Sequence, residues 1–305
     1  MVSSERVSVV IPTIGRASLR RAVESALQQT TPPAEIVVVV DADCNPELPD
    51  IDSIRVIRTS GGVGPGRAKH LGIESATGDV IALLDDDDLW RPHKLEKQLA
   101  AAPAGDEWIV SCRYVIHADG KKPITGPHTL IRPDERVAPY LFERRSPRGY
   151  GGLPVPTLVF PRVVAEKVPL SVSAGSVHDD PKWMIEVRRA LPNLQIIQVP
   201  EPLVDIIWTP GSLSRATVDR SKELIDWGIR ELADESRRAR GDYLLTSPVS
   251  SAREAGSLRS VVTSIAAGVR SGRPGPWAWA TAVKAVLRIG WQRARRIAAG
   301  QRPCP

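Results

Sequence analysis

The sequence predicts an α/β fold in which helices cover both faces of a single, mostly parallel sheet. Three apolar runs have the length of buried strands, at residues 7–11, 35–40 and 80–84. Between the first two, apolar residues recur at helical spacing, for example at Leu19 and Val23. Strands that alternate with helices form parallel crossover units whose helices pack on the sheet.

The elements follow one another in a regular order over the first hundred residues. The first strand ends at Pro12, the second ends at Asp41, and a shorter strand is predicted at 54–58. A glycine-rich loop, 61–66, then precedes another helix. The loop matches neither the dinucleotide fingerprint, which needs glycine where Arg67 stands, nor a P-loop. It is either a phosphate-binding turn or a plain tight turn between strand and helix.

The pattern is less regular in the second half of the chain. Residues 120–161 are rich in proline, glycine and basic residues, which predicts a long irregular excursion. Short strands are predicted before it at 108–112, at its end at 157–161, and after it at 196–199 and 204–208.

Composition limits the class of protein. The chain has 305 residues, of which 42% are hydrophobic and 25% charged, as in soluble globular proteins. Its cysteines, Cys44, Cys112 and Cys304, are widely spaced and form no CxxC pair, which favours a reducing compartment. No apolar stretch approaches the ~20 residues that span a bilayer, and the N-terminus lacks the pattern of a signal peptide. We therefore expect a cytoplasmic protein.

The net charge of +6 is unevenly distributed. From residue 246 onward, ten lysines and arginines stand against one acid, Glu254, so this segment carries +9. The 31 bases and 34 acids before it sum to −3. The sequence therefore predicts an α/β domain at residues 1–245 and a basic helical C-terminal extension at residues 246–305.

Four consecutive acids, residues 85–88, follow the apolar run 80–84 directly. Because ligands bind at the carboxyl ends of strands in open α/β sheets, we expect these acids at a ligand site. Adjacent carboxylates raise one another's pKa unless a positive charge lies between them, and a divalent cation would provide that charge. The alternative is a solvated acidic turn that caps the helix beginning near Pro92.

Three segments at these spacings carry a resemblance: residues 7–13 ending in Pro12-Thr13, residues 35–41, and residues 84–95 with the acidic run followed by Leu89-Trp90. They resemble family 2 glycosyltransferases of the A-type fold, closely to residue 100 and more loosely to residue 230. The resemblance implies a Rossmann-like catalytic domain at residues 1–245, inversion at the anomeric carbon, and Mn²⁺ or Mg²⁺ on the donor diphosphate. It also implies a nucleotide-sugar donor, with a UDP-sugar favoured, and a saccharide, lipid-linked or small-molecule acceptor.

The resemblance implies nucleotide-binding roles for residues outside the acidic run. Pro12 and Thr13 would meet the nucleoside, and Asp41 would accept a hydrogen bond from the base. Lys69, or its neighbour Arg67, lies where the family often has an arginine facing the nucleotide.

Within the acidic run, the resemblance separates the four carboxylates. Asp85 and Asp87 correspond to the Asp-x-Asp motif, and both are expected at the metal, with Asp87 as the principal ligand. Asp88 would bind a sugar hydroxyl or cap the following helix. Asp86 would either contribute to the donor site or point away from it. A cation held here would stabilise the charge that develops on the diphosphate leaving group.

An inverting transferase also needs a base to take the proton of the acceptor hydroxyl. The resemblance implies Asp180 for this role, with Asp179 second, because Trp183 lies three residues beyond Asp180. Adjacent acids raise one pKa, which suits a general base near neutral pH. The alternative is an acidic helix N-terminus followed by Pro181 at a favoured helical position.

Four further residues have two interpretations each. His178 would contact a phosphate or the metal site, or be structural. Trp208 would stack on a sugar ring or pack in the core. Arg215 and Arg220 would approach the diphosphate or lie in a solvated loop.

The C-terminal extension contains a basic amphipathic helix. Its apolar face comprises Val283, Val286, Leu287, Gly290, Ala294 and Ile297. This face would rest on the anionic inner surface of the membrane, or pack on the catalytic domain or on a second subunit in a homodimer. Nucleic-acid binding is not expected, because aromatic and basic residues do not interleave as in known recognition modules.

Two other functional classes compete with a glycosyltransferase. A nucleotidyltransferase would usually carry a glycine-rich signature with a lysine after the first strand, which residues 12–16 do not supply. A catalytically silent module that binds sugar nucleotides or membranes would be expected to lack the acids, and the acids are present.

Overall fold

The chain divides into two compact units. The computed structural model describes residues 6–147, 149, 151–170, 177–209 and 218–298, with side chains as far as Arg295. One unit comprises residues 1–137 and 151–209, and the other comprises 138–150 and 210–305. The helices between residues 221 and 244 thus belong with the C-terminal helices, whereas the sequence placed the domain boundary after residue 245.

Strands and helices alternate along the first unit, as the sequence predicts. The strands are β1 (Val7–Thr13), β2 (Glu35–Val40), β3 (Ile54–Arg58), β4 (Val80–Leu83), β5 (Leu89–Trp90), β6 (Trp108–Ala118), β7 (Ile124–Gly126), β8 (Val159–Pro161) and β9 (Gln195–Trp208). The helices are α1 (Leu19–Leu27), α2 (Pro65–Ser75), α3 (Lys94–Ala101), α5 (Arg162–Lys167) and α6 (Asp179–Ala190), and α4 (Val137–Phe142) begins at the boundary between the units. A short 3₁₀ helix lies at Val155–Thr157.

The strands form one mixed sheet in the order β3-β2-β1-β4-β8-β6-β9-β5, with β7 beside β6. The first four strands pair in parallel, and so do β6 and β9. Strand β8 is antiparallel to both β4 and β6, and β5 is antiparallel to β9. The predicted parallel arrangement therefore describes the first half of the sheet, and the strands that follow β4 make the sheet mixed.

Helices cover both faces of the parallel strands, which explains why β1, β2 and β4 are buried throughout. Alternate residues such as Val9 and Val38 share a core with Val23 of α1. Val10 points to the opposite face, where a Cβ added to Gly72 of α2 would lie 2.4 Å from its Cγ1. A glycine is therefore required at position 72 for α2 to approach the sheet this closely.

Residues 195–208 form one strand instead of the two predicted. Strand β9 pairs with β6 along its length, and the register shifts on either side of Arg113. The shift lies opposite Pro200 and Pro202. Proline lacks an N–H for the ladder, and a bulge lets the strand continue past it.

The second unit is helical. It contains α7 (Ser221–Glu231), α8 (Arg237–Leu244), α9 (Ser247–Glu254), α10 (Leu258–Ser271) and α11 (Pro276–Ala298). Within it, the fully buried carboxylate of Asp242 accepts hydrogen bonds from Arg144 N at 2.8 Å, Gly275 N at 2.6 Å and Arg238 Nε at 2.8 Å. Asp242 therefore joins three segments of the unit.

Two further sequence expectations concern cysteines and membrane spans. Cys44 and Cys112 are free thiols, and Cys304 lies outside the described residues. Among the helices that the structure describes, none combines the length and the apolar character needed to cross a bilayer.

Glu35 stabilises the edge of the sheet where β2 begins. Its Oε1 accepts hydrogen bonds from the Ser8 hydroxyl at 2.6 Å and from the Thr77 hydroxyl at 2.8 Å, and its Oε2 lies 3.1 Å from Arg55. Burial alone would raise the pKa of Glu35, but these hydrogen bonds outweigh it and lower the pKa to about 2. The folded state therefore stabilises the charged form of Glu35 more than the unfolded state does.

We expect Glu35 to contribute roughly 2 to 3 kcal/mol to stability at neutral pH. Because the folded pKa lies below the unfolded value, this contribution is present above the unfolded pKa and is lost as pH falls towards about 2. Urea unfolding of Glu35→Gln should thus show lower stability at neutral pH and a weaker loss on acidification. Glu47→Gln, an exposed acid in the loop after β2, is the control. Identical pH dependence in the wild type and Glu35→Gln would contradict this assignment.

Candidate active site

Three parallel strands end at one edge of the sheet and bring the predicted site together. Strands β1, β2 and β4 run in the same direction, so Thr13, Asp41 and the acidic turn 85–88 meet at their carboxyl ends. Within the turn, Asp88 N donates to Asp85 O at 3.2 Å. The side chains of Asp85 and Asp87 are 32% and 24% exposed, whereas Asp86 and Asp88 are buried.

Asp86 is bound inside the site. Its Oδ2 accepts the Thr13 hydroxyl at 2.6 Å, and its Oδ1 lies 2.7 Å from Arg16 Nη1. The same Arg16 nitrogen is 3.3 Å from Asp87 Oδ2. Sequence reasoning missed Arg16, although it required a positive charge among these acids and Arg16 closely follows the first strand. Arg16 supplies part of that charge.

Asp88 contacts the sheet. Its Oδ1 accepts the backbone N–H of Ile207 on β9 at 2.9 Å. The residue at the N-terminus of α3 is His93, so the expectation that Asp88 caps this helix is wrong. Burial, and then the nearby Asp85 carboxylate, raise the pKa of Asp88 to about 8.

Lys69 connects the acidic turn to the candidate base. The buried ammonium lies 3.3 Å from Asp85 Oδ1 and 3.4 Å from Asp180 Oδ1. Burial alone would lower the pKa of Lys69, but Asp180 and Asp85 raise it above its ordinary value. Lys69 therefore remains charged and holds two carboxylates, 95 residues apart in the chain, at one place.

Asp180 lies in the first turn of α6 and is 35% exposed. Burial raises the pKa of Asp180, and the Lys69 ammonium opposes that rise. Asp180 shares a small cleft with Gly66, Asp179 and Trp183. A carboxylate that is open to a cleft and has a raised pKa has the properties of a general base.

Two features hold the start of α6 in place. His178 precedes the helix with φ 57° and ψ 41°, a left-handed conformation that non-glycine residues rarely adopt. Trp183 donates from Nε1 to Val168 O at 2.7 Å and packs against Phe160, with ring centroids 5.0 Å apart. The unusual backbone at His178 turns the chain immediately before the two aspartates.

Asp41 organises the glycine-rich loop. Its carboxylate accepts hydrogen bonds from the Thr59 hydroxyl, from Val63 N at 2.9 Å and from Gly64 N at 2.8 Å. Burial alone would raise the pKa of Asp41, but these hydrogen bonds outweigh burial and lower the pKa. Gly64 has φ 87°, which glycine adopts without strain, and α2 begins at the next residue. Contact of Asp41 with a nucleobase remains a prediction.

The other residues predicted from the sequence form no hydrogen bond or ion pair with the acidic turn or with Asp180 in the part of the chain that the structure describes. Pro12 is buried beside Thr13. Arg67 is exposed on α2 and forms no ion pair or hydrogen bond with a residue that the structure describes. Trp208 is partly exposed at the end of β9. Arg220 pairs with Glu223 at 2.8 Å in the helical unit, and Arg215 lies outside the described residues.

The sequence across this site matches a known family. Residues 8–159, which include β1 to β4 and the acidic turn, match the family model described as glycosyl transferase family 2. The chain therefore belongs to glycosyl transferase family 2.

Curated relatives of this family 2 chain match it over part of their length. It is 41% identical over 108 residues to the succinoglycan biosynthesis protein ExoO of Rhizobium meliloti, a match covering 33% of this chain and 31% of ExoO. It is 30% identical over 191 residues to an uncharacterized glycosyltransferase of Rickettsia typhi, covering 59% and 58% of the two chains. The chain thus spans less than two thirds of either relative.

A solved structure shares the fold. The crystal structure of S. aureus TarS 1-349 in complex with UDP-GlcNAc superposes with a TM-score of 0.61. The two are 14% identical, and the match covers 97% of this chain and 92% of that one. The A-type glycosyltransferase fold with C-terminal helices, as the sequence predicted, is therefore confirmed.

Asp85 and Asp87 are the acids in this site that fit a divalent cation. Both are partly exposed, and burial, then the charge of Asp85, raise the pKa of Asp87. Among the described residues, no three acidic, histidine or cysteine side chains converge as a preformed metal site. Mg²⁺ binds through one or two carboxylates when substrate phosphates and water supply its other ligands. The donor set of Asp85 and Asp87 is of this kind.

Proposed function

We propose that the chain transfers a sugar from a nucleoside diphosphate sugar to an acceptor hydroxyl, with inversion at the anomeric carbon. The observation that carries the proposal is the Lys69 bridge between Asp85 and Asp180. It brings an acid of the Asp-x-Asp turn and a candidate base to one edge of the sheet. An inverting transfer needs a base on the acceptor side, and on the other side it needs positive charge for the leaving diphosphate, which a cation at the acidic turn would supply.

In this proposal Asp180 takes the proton of the acceptor hydroxyl as the oxygen attacks the anomeric carbon. The proton moves to a carboxylate oxygen, the new glycosidic bond forms, and the bond to the diphosphate breaks. Lys69 favours the ionised form of Asp180 and holds the carboxylate in position before the reaction, since its ammonium lies 3.4 Å from it. Arg16 and Thr13 hold Asp86, so the acidic turn is fixed in shape before substrate binds.

We also propose that Asp87, with Asp85, holds Mn²⁺ or Mg²⁺ together with the donor diphosphate. A cation there supplies positive charge for the leaving nucleoside diphosphate. The raised pKa of Asp87, caused by burial and by the Asp85 charge, supports a site that binds additional positive charge.

A UDP-sugar is the first donor to test, because the structurally similar TarS was crystallised with UDP-GlcNAc. The name of the rhizobial relative, a succinoglycan biosynthesis protein, supports a saccharide or lipid-linked saccharide as acceptor. The family match supports this function over a nucleotidyltransferase.

Melting temperatures should identify the donor. A ligand that binds only the folded state raises the melting temperature, so one nucleotide sugar with Mn²⁺ should raise it more than the others. Release of the nucleoside diphosphate in the presence of a saccharide acceptor then measures transfer. If no nucleotide sugar shifts the melting temperature, with or without metal, the proposed donor class is wrong.

A further inference from the structure

Helix α11 presents two different apolar faces. The small residues Ala278, Ala282 and Ala285, with Ile289, are buried in a core with Leu245, Val249, Ala252 and Val261. These alanines recur every three or four residues and bring α11 close to its neighbours in the unit. In the part of the unit that the structure describes, α11 thus contributes its alanine face to the core.

The larger apolar residues lie on the other face and remain exposed. Leu287 is 65% exposed, Trp291 58% and Val283 53%. Trp279 and Val286 lie on the same face, and Gly290 and Ala294 are exposed between these residues. The apolar face predicted from the sequence is thus not used for packing within the unit. The side chain of Ile297 lies outside the described residues.

Basic residues border this exposed face. Lys284, Arg288 and Arg295 lie along one side of it, and Arg293 lies towards the other. Arg295 Cζ lies 4.3 Å from the ring centroid of Trp291, so the guanidinium and the indole form one amphipathic surface. The sequence has no acidic residue from 255 to 305.

We infer that the exposed face of α11, defined by Val283, Val286, Leu287 and Trp291 with its basic border, docks on an anionic lipid surface. A helix with a bulky apolar face, flanking lysines and arginines and tryptophans at its margins lies in the headgroup region of a bilayer. The apolar side chains leave water, and the cations approach lipid phosphates. This inference does not depend on the proposed glycosyltransferase activity.

The charges favour lipid over a second copy of this chain. If two copies paired through this face, Lys284, Arg288 and Arg295 would meet their counterparts, and α11 has no acid to neutralise them. Anionic headgroups complement the same cations. Nucleic acid would satisfy the charges but would leave Leu287 and Val283 without an apolar partner.

Vesicle flotation of the full chain tests the inference. The protein should bind vesicles of phosphatidylcholine mixed with phosphatidylglycerol, and bind phosphatidylcholine alone much more weakly. The double variant Leu287→Gln/Trp291→Gln should lower the partition coefficient roughly tenfold or more, because two large apolar side chains no longer enter the bilayer. Lys284→Gln/Arg288→Gln should lower the partition coefficient about fivefold for each cation removed, and only on anionic vesicles. Added salt should also lower the binding to anionic vesicles.

Matched control variants distinguish binding through this face from non-specific binding to vesicles. Ile124→Gln removes a similarly exposed apolar side chain from β7, and Lys222→Gln removes an exposed cation from α7; both should float like the wild type. Far-ultraviolet circular dichroism and melting curves verify that each variant is folded.

Four results would overturn the inference. The first is a wild type that does not float with anionic vesicles, and the second is unchanged flotation of Leu287→Gln/Trp291→Gln. The third is a dimer that forms without lipid and that this double variant dissociates. The fourth is binding of duplex DNA that is as tight as vesicle binding and that this double variant leaves unchanged.

Discussion

Asp180→Asn is expected to lower kcat for sugar transfer by about 10²- to 10⁴-fold, the usual contribution of a general base. Asparagine is nearly isosteric with aspartate but cannot take the acceptor proton. Donor binding should persist, because Asp85 and Asp87, the proposed ligands of the cation on the donor diphosphate, are unchanged. Steady-state kinetics for transfer, with the donor-induced rise in melting temperature as the binding measurement, check both parts.

Asp179→Asn is the matched control, since Asp179 lies in the same helical turn and lines the same cleft. It removes one carboxylate from the start of α6 but does not touch the Lys69–Asp180 pair. We expect kcat to stay within a few-fold of the wild type. Full activity in Asp180→Asn together with a large loss in Asp179→Asn would move the base to Asp179. Full activity in both variants would exclude the pair.

Asp87→Ala is expected to remove the metal dependence of donor binding. In the wild type, the nucleoside diphosphate should bind about 10- to 100-fold more tightly with Mn²⁺ than with a chelator, because the cation neutralises phosphate charge. In the variant the two affinities should become similar. Isothermal titration calorimetry with UDP, with and without Mn²⁺, measures the difference.

The control for Asp87→Ala is Asp106→Ala. Asp106 is an exposed acid just before β6, and β6 runs parallel to β4, so it lies at the opposite edge of the sheet from the acidic turn. Asp106→Ala should leave the effect of Mn²⁺ on nucleoside diphosphate affinity unchanged. Equal affinity with and without metal in the wild type, or a normal metal effect in Asp87→Ala, would contradict the assignment of Asp87 as a ligand.

Much of the first half of the fold follows from local sequence patterns. The apolar runs that form β1, β2 and β4 are buried on both faces, so their composition predicts both the strands and their central position. Parallel strands end at one edge, so the position of the acids at that edge also followed. Local sequence patterns did not predict the mixed second half of the sheet, because the pairing of β8 with β4 and β6 depends on contacts between distant segments.

Side-chain partners were harder to predict than positions. Lys69 was expected at a nucleotide, and its nearest charges are Asp85 and Asp180. Asp88 was expected at a sugar or a helix end, and it accepts a hydrogen bond from Ile207. In each case the partner lies on a segment more than ten residues away, where spacing along the chain carries no information about proximity.

The sequence by itself determined the family, the strand ends that carry Thr13, Asp41 and residues 85–88, and the acid pair at the start of α6. These features are local, because they depend on the apolar period of one element and on the residues that end it. The tertiary structure decided which charges meet. It placed Arg16 between Asp86 and Asp87 and Lys69 between Asp85 and Asp180, and it buried the alanine face of α11 while leaving the leucine and tryptophan face exposed. The reason is that neutralising clustered acids and closely packing helices both require atoms from segments far apart in the chain, and only the folded structure brings those segments together.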